Sequence, residues 1–359
     1  MSTSSIKDRL VVLDTPSLLV LIEDTIKAEG PLCNLNHLDV SKITDFKNVF
    51  YRSSFMGDIS DWDMSGATRL DGMFEQSKFN GNISKWNVSN VTSMERVFNR
   101  SHFQGDISQW NTEKVTTMRG LFWSGKFNGN ISAWNVGQVT NMDNMFDSCP
   151  FKSDISKWNV SNVTTMSSMF ASGPFDGDIS LWNVSKVQDF PCMFASAIFQ
   201  GDISKWNTSS AVNFSAMFAG SAYRHHLSNV SSWNVSNVED FSEMFRGADC
   251  PRDLSAWQFS RAADTSGFID DDKLVDCENP SVYHWLVALT ENKPQLLRPQ
   301  DCTFLNKHGS VFSTLCETKV EAAVMTHQTW LQENSMRVVP PPAETLSLPQ
   351  LDAPDGIGV

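Results

Sequence analysis

Two kinds of residue in this chain have the type and spacing to do chemistry. One is a column of carboxylates and amides: Asp58, Asn82, Asp106, Asn130, Asp154, Asp178, Asp202, Asn229 and Asp253. Stacked carboxylates invite calcium, because hard cations take oxygen ligands. The spacing is not that of a calcium-binding nonapeptide, and Asn replaces Asp freely. Asp or Asn beside Gly is an ordinary turn residue that bonds its own backbone, so the column reads as a set of turns. The other is the pair His225-His226, in the stretch Arg224–Leu227 within which three residues are inserted. Two adjacent imidazoles cannot complete a zinc shell, and surface loops accept insertions cheaply. The insertion reads as a tolerated turn, and no metal is expected.

Nothing else resembles a catalytic constellation. The seven His are scattered, with no H-E-x-x-H, G-x-S-x-G, Walker or dinucleotide loop. The expectation is a protein that is not an enzyme and needs no cofactor. The seven cysteines, Cys33, Cys149, Cys192, Cys250, Cys277, Cys302 and Cys316, are odd in number and form no C-x-x-C pair. That excludes a legible disulfide framework. Cys149, Cys192 and Cys250 fall in small or apolar slots and read as buried thiols.

The elements that must position these residues follow from a periodic phrase. Trp62, Trp86, Trp110, Trp134, Trp158, Trp182 and Trp206 recur every 24 residues, and Trp233 and Trp257 continue after one slip of three. The phrase is F-x-G-D/N-I-S-x-W-N-V-S-x-V-T-x-M-x-x-M-F-x-x-S. Such a period predicts a solenoid, in which each unit buries its apolar face only by stacking on its neighbours. Ile83, Trp86 and Val88 have the spacing of a leucine-rich-repeat strand. Thr92, with Glu95 three residues on, matches a capping box. Met94, Val97 and Phe98 then lie at i, i+3 and i+4 of a short helix. The predicted class is an α/β repeat solenoid, leucine-rich-repeat-like, with one short strand and one short helix per 24-residue coil and helical caps at both ends.

Trp holds its slot in nine repeats, while the residue before it drifts through Asp61, Lys85, Gln109, Ala133, Lys157, Leu181, Lys205, Ser232 and Ala256. A constant position beside a drifting one marks a packing slot. The rings should therefore face the core, each indole N–H finding a backbone carbonyl. After each Trp comes a second column, Asp63, Asn87, Asn111, Asn135, Asn159, Asn183, Asn207, Asn234 and Gln258. It should point to the opposite, concave strand face. It can be an amide ladder bonded along the stack, a polar binding strip, or both. The candidate partner-binding residues are Asp61, Lys85, Asn87, Gln109, Asn111, Asn135, Lys157, Asn159, Asn183, Lys205 and Asn207.

Residues 1–37 read as an N-terminal helical cap, with Thr15 as N-cap, Pro16 in the first helical position and Gly30-Pro31 as the stop. The solenoid of nine to ten coils spans 38–269. Beyond it, 270–338 reads as a C-terminal helical cap or small appended region, and 339–359 as a disordered Pro-rich tail. No stretch approaches the 18 or so apolar residues of a spanning helix, so no membrane insertion is expected. No signal peptide or lipobox is legible, which points to the cytoplasm. The net charge of −13 argues against a nucleic-acid partner.

The repeated unit, together with the lead-in Gly30-Pro31-Leu32-Cys33-Asn34-Leu35-Asn36-His37-Leu38-Asp39-Val40-Ser41-Lys42-Ile43-Thr44-Asp45-Phe46, resembles the BspA-type leucine-rich repeat of bacterial surface proteins and mycoplasma lipoproteins. The resemblance covers about 30–269. It implies a non-enzymatic interaction scaffold, often surface-exposed and adhesive. A protein partner bound through the strand face is the leading expectation. A surface adhesin or carbohydrate-binding module and a purely structural spacer are the alternatives, and cell-surface or non-standard secretion is the family-based alternative for location.

Overall fold

The computed structural model describes residues 9–222, 230, 232–248, 257, 263–264 and 266–268. The expected C-terminal region 270–338, the tail 339–359 and the insertion at Arg224–Leu227 lie outside the described residues. So do Asn229, Ala256, Asp253, Gln258, Cys250, Cys277, Cys302 and Cys316.

The chain enters through β1 (Leu10–Val11), which pairs in parallel with β2 (Leu38–Asp39). Between them runs α1 (Thr15–Glu29). Its N-cap is Asp14 rather than the expected Thr15: the Asp14 carboxylate accepts the Ser17 N–H at 2.7 Å. Asp is the stronger capping residue of the two, which leaves the Thr15 hydroxyl to donate to the Asp45 carbonyl at 2.6 Å. Gly30, with φ of +88°, stops the helix while its N–H donates to the Ile26 carbonyl. Leu18 and Ile22, one helical turn apart, are buried in the same core as the repeats.

From Asp45 onward the chain is a repeat protein. Single-residue parallel bridges link Asp45, Arg69, Ser93, Thr117, Asn141, Thr165, Asp189, Asn213, Asp240 and Asp264 in succession. Each bridge lies seven residues after a tryptophan where that tryptophan exists, not in the Ile–Trp–Val segment where a strand was expected. In that segment the Trp86 N–H donates to the Ile83 carbonyl and the Val91 N–H to the Val88 carbonyl, closing two turns. The side chains of Asn82 and Asn87 accept from the backbone N–H of Ser84 and Ser89. Local side-chain bonds of this kind compete with strand pairing, and here they prevail.

Among the described residues the expected short helix is absent from the repeats as well. In residues 70–77 alternate amides leave the repeat: Leu70, Gly72, Phe74 and Gln76 donate to the carbonyls of Ser93, Glu95, Val97 and Asn99 at 2.7–3.1 Å. The intervening amides of Met73, Glu75 and Ser77 close turns onto Leu70, Gly72 and Phe74. Gly72 and Gln76 have φ of +61° and +56°, the sign a type II turn requires at its third position and an α-helix forbids. Positive φ recurs in pairs, as at Arg96 and Arg100, Asn144 and Ser148, Ser168 and Ser172. The capping box fails with the helix: the Glu95 N–H is held by Asp71, and the Thr92 hydroxyl donates to the Thr68 carbonyl. The apolar periodicity was nonetheless informative, since Met94, Val97 and Phe98 are all buried.

Three aromatic columns fill the core. Trp62, Trp86, Trp110 and Trp134 stack at 6.4 Å between successive centroids. Phe74, Phe98 and Phe122 stack at 5.7 and 5.8 Å, and Phe79, Phe103 and Phe127 at 6.4 and 6.3 Å. Trp233 still stacks on Trp206 at 6.3 Å, so the three-residue slip leaves the stack continuous.

Candidate interaction surface

The surface is built outward from the buried tryptophan. Every ladder Trp from Trp62 to Trp257 is no more than 4% exposed. Each indole N–H donates to a carbonyl of the preceding repeat, as Trp86 to Ile59, Trp158 to Ile131 and Trp233 to Ile203. The inward orientation expected from the constancy of Trp is thus what the fold uses.

With Trp inward, the residues flanking it must face solvent. Asp61, Lys85, Gln109, Lys157 and Lys205 are exposed, as are Asn87, Asn111, Asn135, Asn159, Asn183 and Asn207. These eleven residues form two parallel exposed rows, because the repeats stack in constant register. They are presented by turns, however, and not by the strand face that was anticipated. Lys85 is the third residue of the Ile83–Trp86 turn. Ala133 and Leu181 complete the first row, and Leu181 is 80% exposed between Lys157 and Lys205. Asp61 is engaged already: the Arg9 guanidinium donates to its carbonyl at 2.9 Å and lies 3.7 Å from its carboxylate.

The Asn row is not an amide-to-amide ladder. Each side-chain oxygen is spent within its own turn: Asn111 accepts from the Glu113 N–H, Asn135 from Gly137, Asn159 from Ser161, Asn183 from Ser185 and Asn207 from Ser209, at 3.0–3.2 Å. A neighbouring column missed by the sequence reading does bridge repeats. Asn90 donates to the Ser65 carbonyl and accepts from Lys114, and Asn162 with Lys186 repeats the pattern against Gly137. Its signal was an Asn recurring three repeats apart, at Asn90 and Asn162, each with Lys one repeat later, hidden by Gly66 and Gln138 in the same column.

The carboxylate column behaves as turn residues should. Asp58, Asp106, Asp154, Asp178 and Asp202 each accept the N–H of the Ser two residues on, at 2.8–2.9 Å. The backbone bond from Ser108, Ser156 and Ser180 holds Asp106, Asp154 and Asp178 below the usual aspartate range. Among the described residues no group of three His, Cys, Asp or Glu could hold a metal. Cys149 is buried, its thiol donating to the Phe127 carbonyl at 3.1 Å, and burial pushes it up to about 12. Cys192 departs from the expectation of burial. It is only half-buried, because it occupies a positive-φ turn position (φ of +56°) on the outward side.

Three overlapping stretches, 25–124, 99–198 and 173–279, match the family described as "Mycoplasma protein of unknown function, DUF285". The chain belongs to that family. The DUF285 matches together span 25–279 of the 359 residues, which is the repeat region with its lead-in. Neither the curated proteins nor the solved structures contain a match to the chain. In the DUF285 repeats as this chain displays them, the tryptophan slot is structural and the drifting residue just before it, from Asp61 to Lys205, lies outside. No helix among the described residues is long and apolar enough to cross a membrane.

Proposed function

We propose that this DUF285 chain is a solenoid related to the BspA-type leucine-rich repeats and that it works as a non-enzymatic scaffold for a protein partner. The observation that carries the reading is the first exposed row. Its seven members from Asp61 to Lys205 differ in size and charge while the neighbouring Trp never changes. A row freed from packing constraints is where recognition can be written without cost to the stack. Leu181, 80% exposed between two lysines, is an apolar anchor with a charged rim, the arrangement in which binding energy concentrates. The Asn row beside it is exposed and polar. A carbohydrate-binding reading needs outward aromatic faces, and the tryptophan ladder has none to offer.

The test is affinity capture from the native source with the full chain, compared with a variant carrying Lys85→Glu, Lys157→Glu, Lys205→Glu and Leu181→Asp. Loss of a captured protein at unchanged melting temperature supports the row as the binding surface. Capture of the same protein by both forms removes it from the binding site.

A further inference from the structure

The double-turn segments show a charge asymmetry that the proposed function does not use. Segments 45–54, 69–78, 93–102 and 117–126 hold eight Lys or Arg against four Asp or Glu. The next four, 141–150, 165–174, 189–198 and 213–222, hold no Lys or Arg and three Asp. In a chain of net charge −13, one side of the first four repeats is therefore a basic island with an abrupt edge after Lys126.

Ion pairs account for only part of it. Arg69 is held by Asp71 at 2.6 Å and Arg119 by Glu95 at 2.8 Å, while Glu75 accepts from the Asn99 amide. Among the described residues Lys47, Arg52, Lys78, Arg96, Arg100 and Lys126 have no carboxylate partner. Lys47, Arg52, Lys78, Arg100 and Lys126 are exposed. Arg52, Lys78, Arg100 and Lys126 supply one cation per repeat, alternating between two columns two residues apart. Neighbouring hydrogen-bonded chains lie about 4.8 Å apart, so the cations form a zigzag track roughly that far apart along the stack axis.

The track is also partly pre-ordered. The Arg52 guanidinium lies over the Tyr51 ring at 5.1 Å and its Nε donates to the Gln76 side chain at 3.0 Å. The Arg100 guanidinium lies over the Trp123 ring at 5.5 Å. An arginine held over an aromatic ring can still offer N–H donors to a carboxylate and loses less freedom on binding it. The same contacts occupy one face of the Tyr51 ring and one of the Trp123 ring, on which a nucleobase could otherwise stack.

We propose that this track is a second interaction surface, and that its partner is an acidic polypeptide segment lying along the stack axis. Unpaired, regularly spaced cations attract a linear polyanion at long range. The arginine forks then select carboxylates by bidentate bonding. The rest of the acidic surface repels the same ligand, which confines it to the island.

The test measures binding of a labelled oligoglutamate peptide to the full chain by fluorescence anisotropy across a salt series. Full-length chain binds with an affinity that falls steeply with salt. A variant with Arg52→Glu, Lys78→Glu, Arg100→Glu and Lys126→Glu binds roughly tenfold or more weakly, with a shallower salt dependence. Lys152→Glu, one repeat beyond the island, binds like the parent. Near-ultraviolet circular dichroism of the tryptophan stack reports whether each variant keeps its fold, and an Arg52→Gln, Arg100→Gln pair replaces the quadruple variant if it does not. Equal peptide binding by folded parent and variant overturns the site. Tighter binding of a labelled oligonucleotide or sulfated polysaccharide than of the peptide overturns the choice of partner.

Discussion

The indole nitrogen of Trp158 donates to the carbonyl of Ile131 at 3.2 Å, across the boundary between two repeats. The bond joins a side chain constant in every repeat to a backbone carbonyl of the preceding one, which also accepts the Trp134 N–H at 3.1 Å. It explains why Trp, and not Phe, fills this slot: the ring fills the core and its one polar atom clamps the neighbouring coil.

Replacing Trp158 by Ala should destabilise the fold by about 3–5 kcal/mol, the range for large aromatic truncations in a core. Trp158→Phe should cost less, about 0.5–1.5 kcal/mol for the lost indole bond, because the Ile131 carbonyl keeps the Trp134 N–H. Equilibrium unfolding in denaturant measures both. A Trp158→Ala change within error would mean that the stack tolerates a missing rung.

Ser168 sits at φ of +55°, in the left-handed region, where a side chain costs roughly 1–2 kcal/mol relative to glycine. Glycine adds unfolded-state entropy that offsets about 0.4–1 kcal/mol of the gain. Ser168→Gly should therefore stabilise by about 0.5–1 kcal/mol, and Ser168→Val should lower stability. Thermal melts of the three forms decide it, and an unstable Ser168→Gly chain would contradict the turn assignment.

Burial pushes the Asp189 carboxyl above the usual aspartate range, and Asp143 adds to the rise. A group that holds its proton more tightly when folded favours the fold at low pH and costs stability as pH rises through its folded pKa. Asp189→Asn should accordingly raise the melting temperature near pH 7, with the gain vanishing below about pH 4, the unfolded aspartate value. Asp154 is the opposite case, lowered by the Ser156 N–H. Its contribution is present above the unfolded value and lost as pH falls through the folded one, so Asp154→Asn should flatten the acid limb. A pH series of melts on the two variants separates the signs, and identical profiles would refute both assignments.

Much of the architecture was legible from the chain. Trp86 constant beside a drifting Lys85 revealed which residue faces inward, since packing tolerates no change and solvent tolerates most. Asp154 beside Ser156 read as a turn because a short carboxylate bonds its own backbone two residues on. Thr92-x-x-Glu95 misled, because a capping box and a run of type II turns place the same residue types at the same spacing. What distinguishes them is whether the amides of Met94, Arg96 and Phe98 bond inside their own coil or to the next one. That choice is made by the neighbour.

The basic track was also present in the sequence, as eight cations in four segments and none in the four that follow. It became visible only when stacking placed Arg52, Lys78, Arg100 and Lys126 in line. The sequence by itself determined the period, the inward tryptophan and the turn at each Asp or Asn, because those depend on local bonds and on burial alone. Tertiary structure alone decided the backbone path between them and the alignment of charges on the surface. Both depend on hydrogen bonds and distances between residues 24 positions apart, which no short stretch of chain contains.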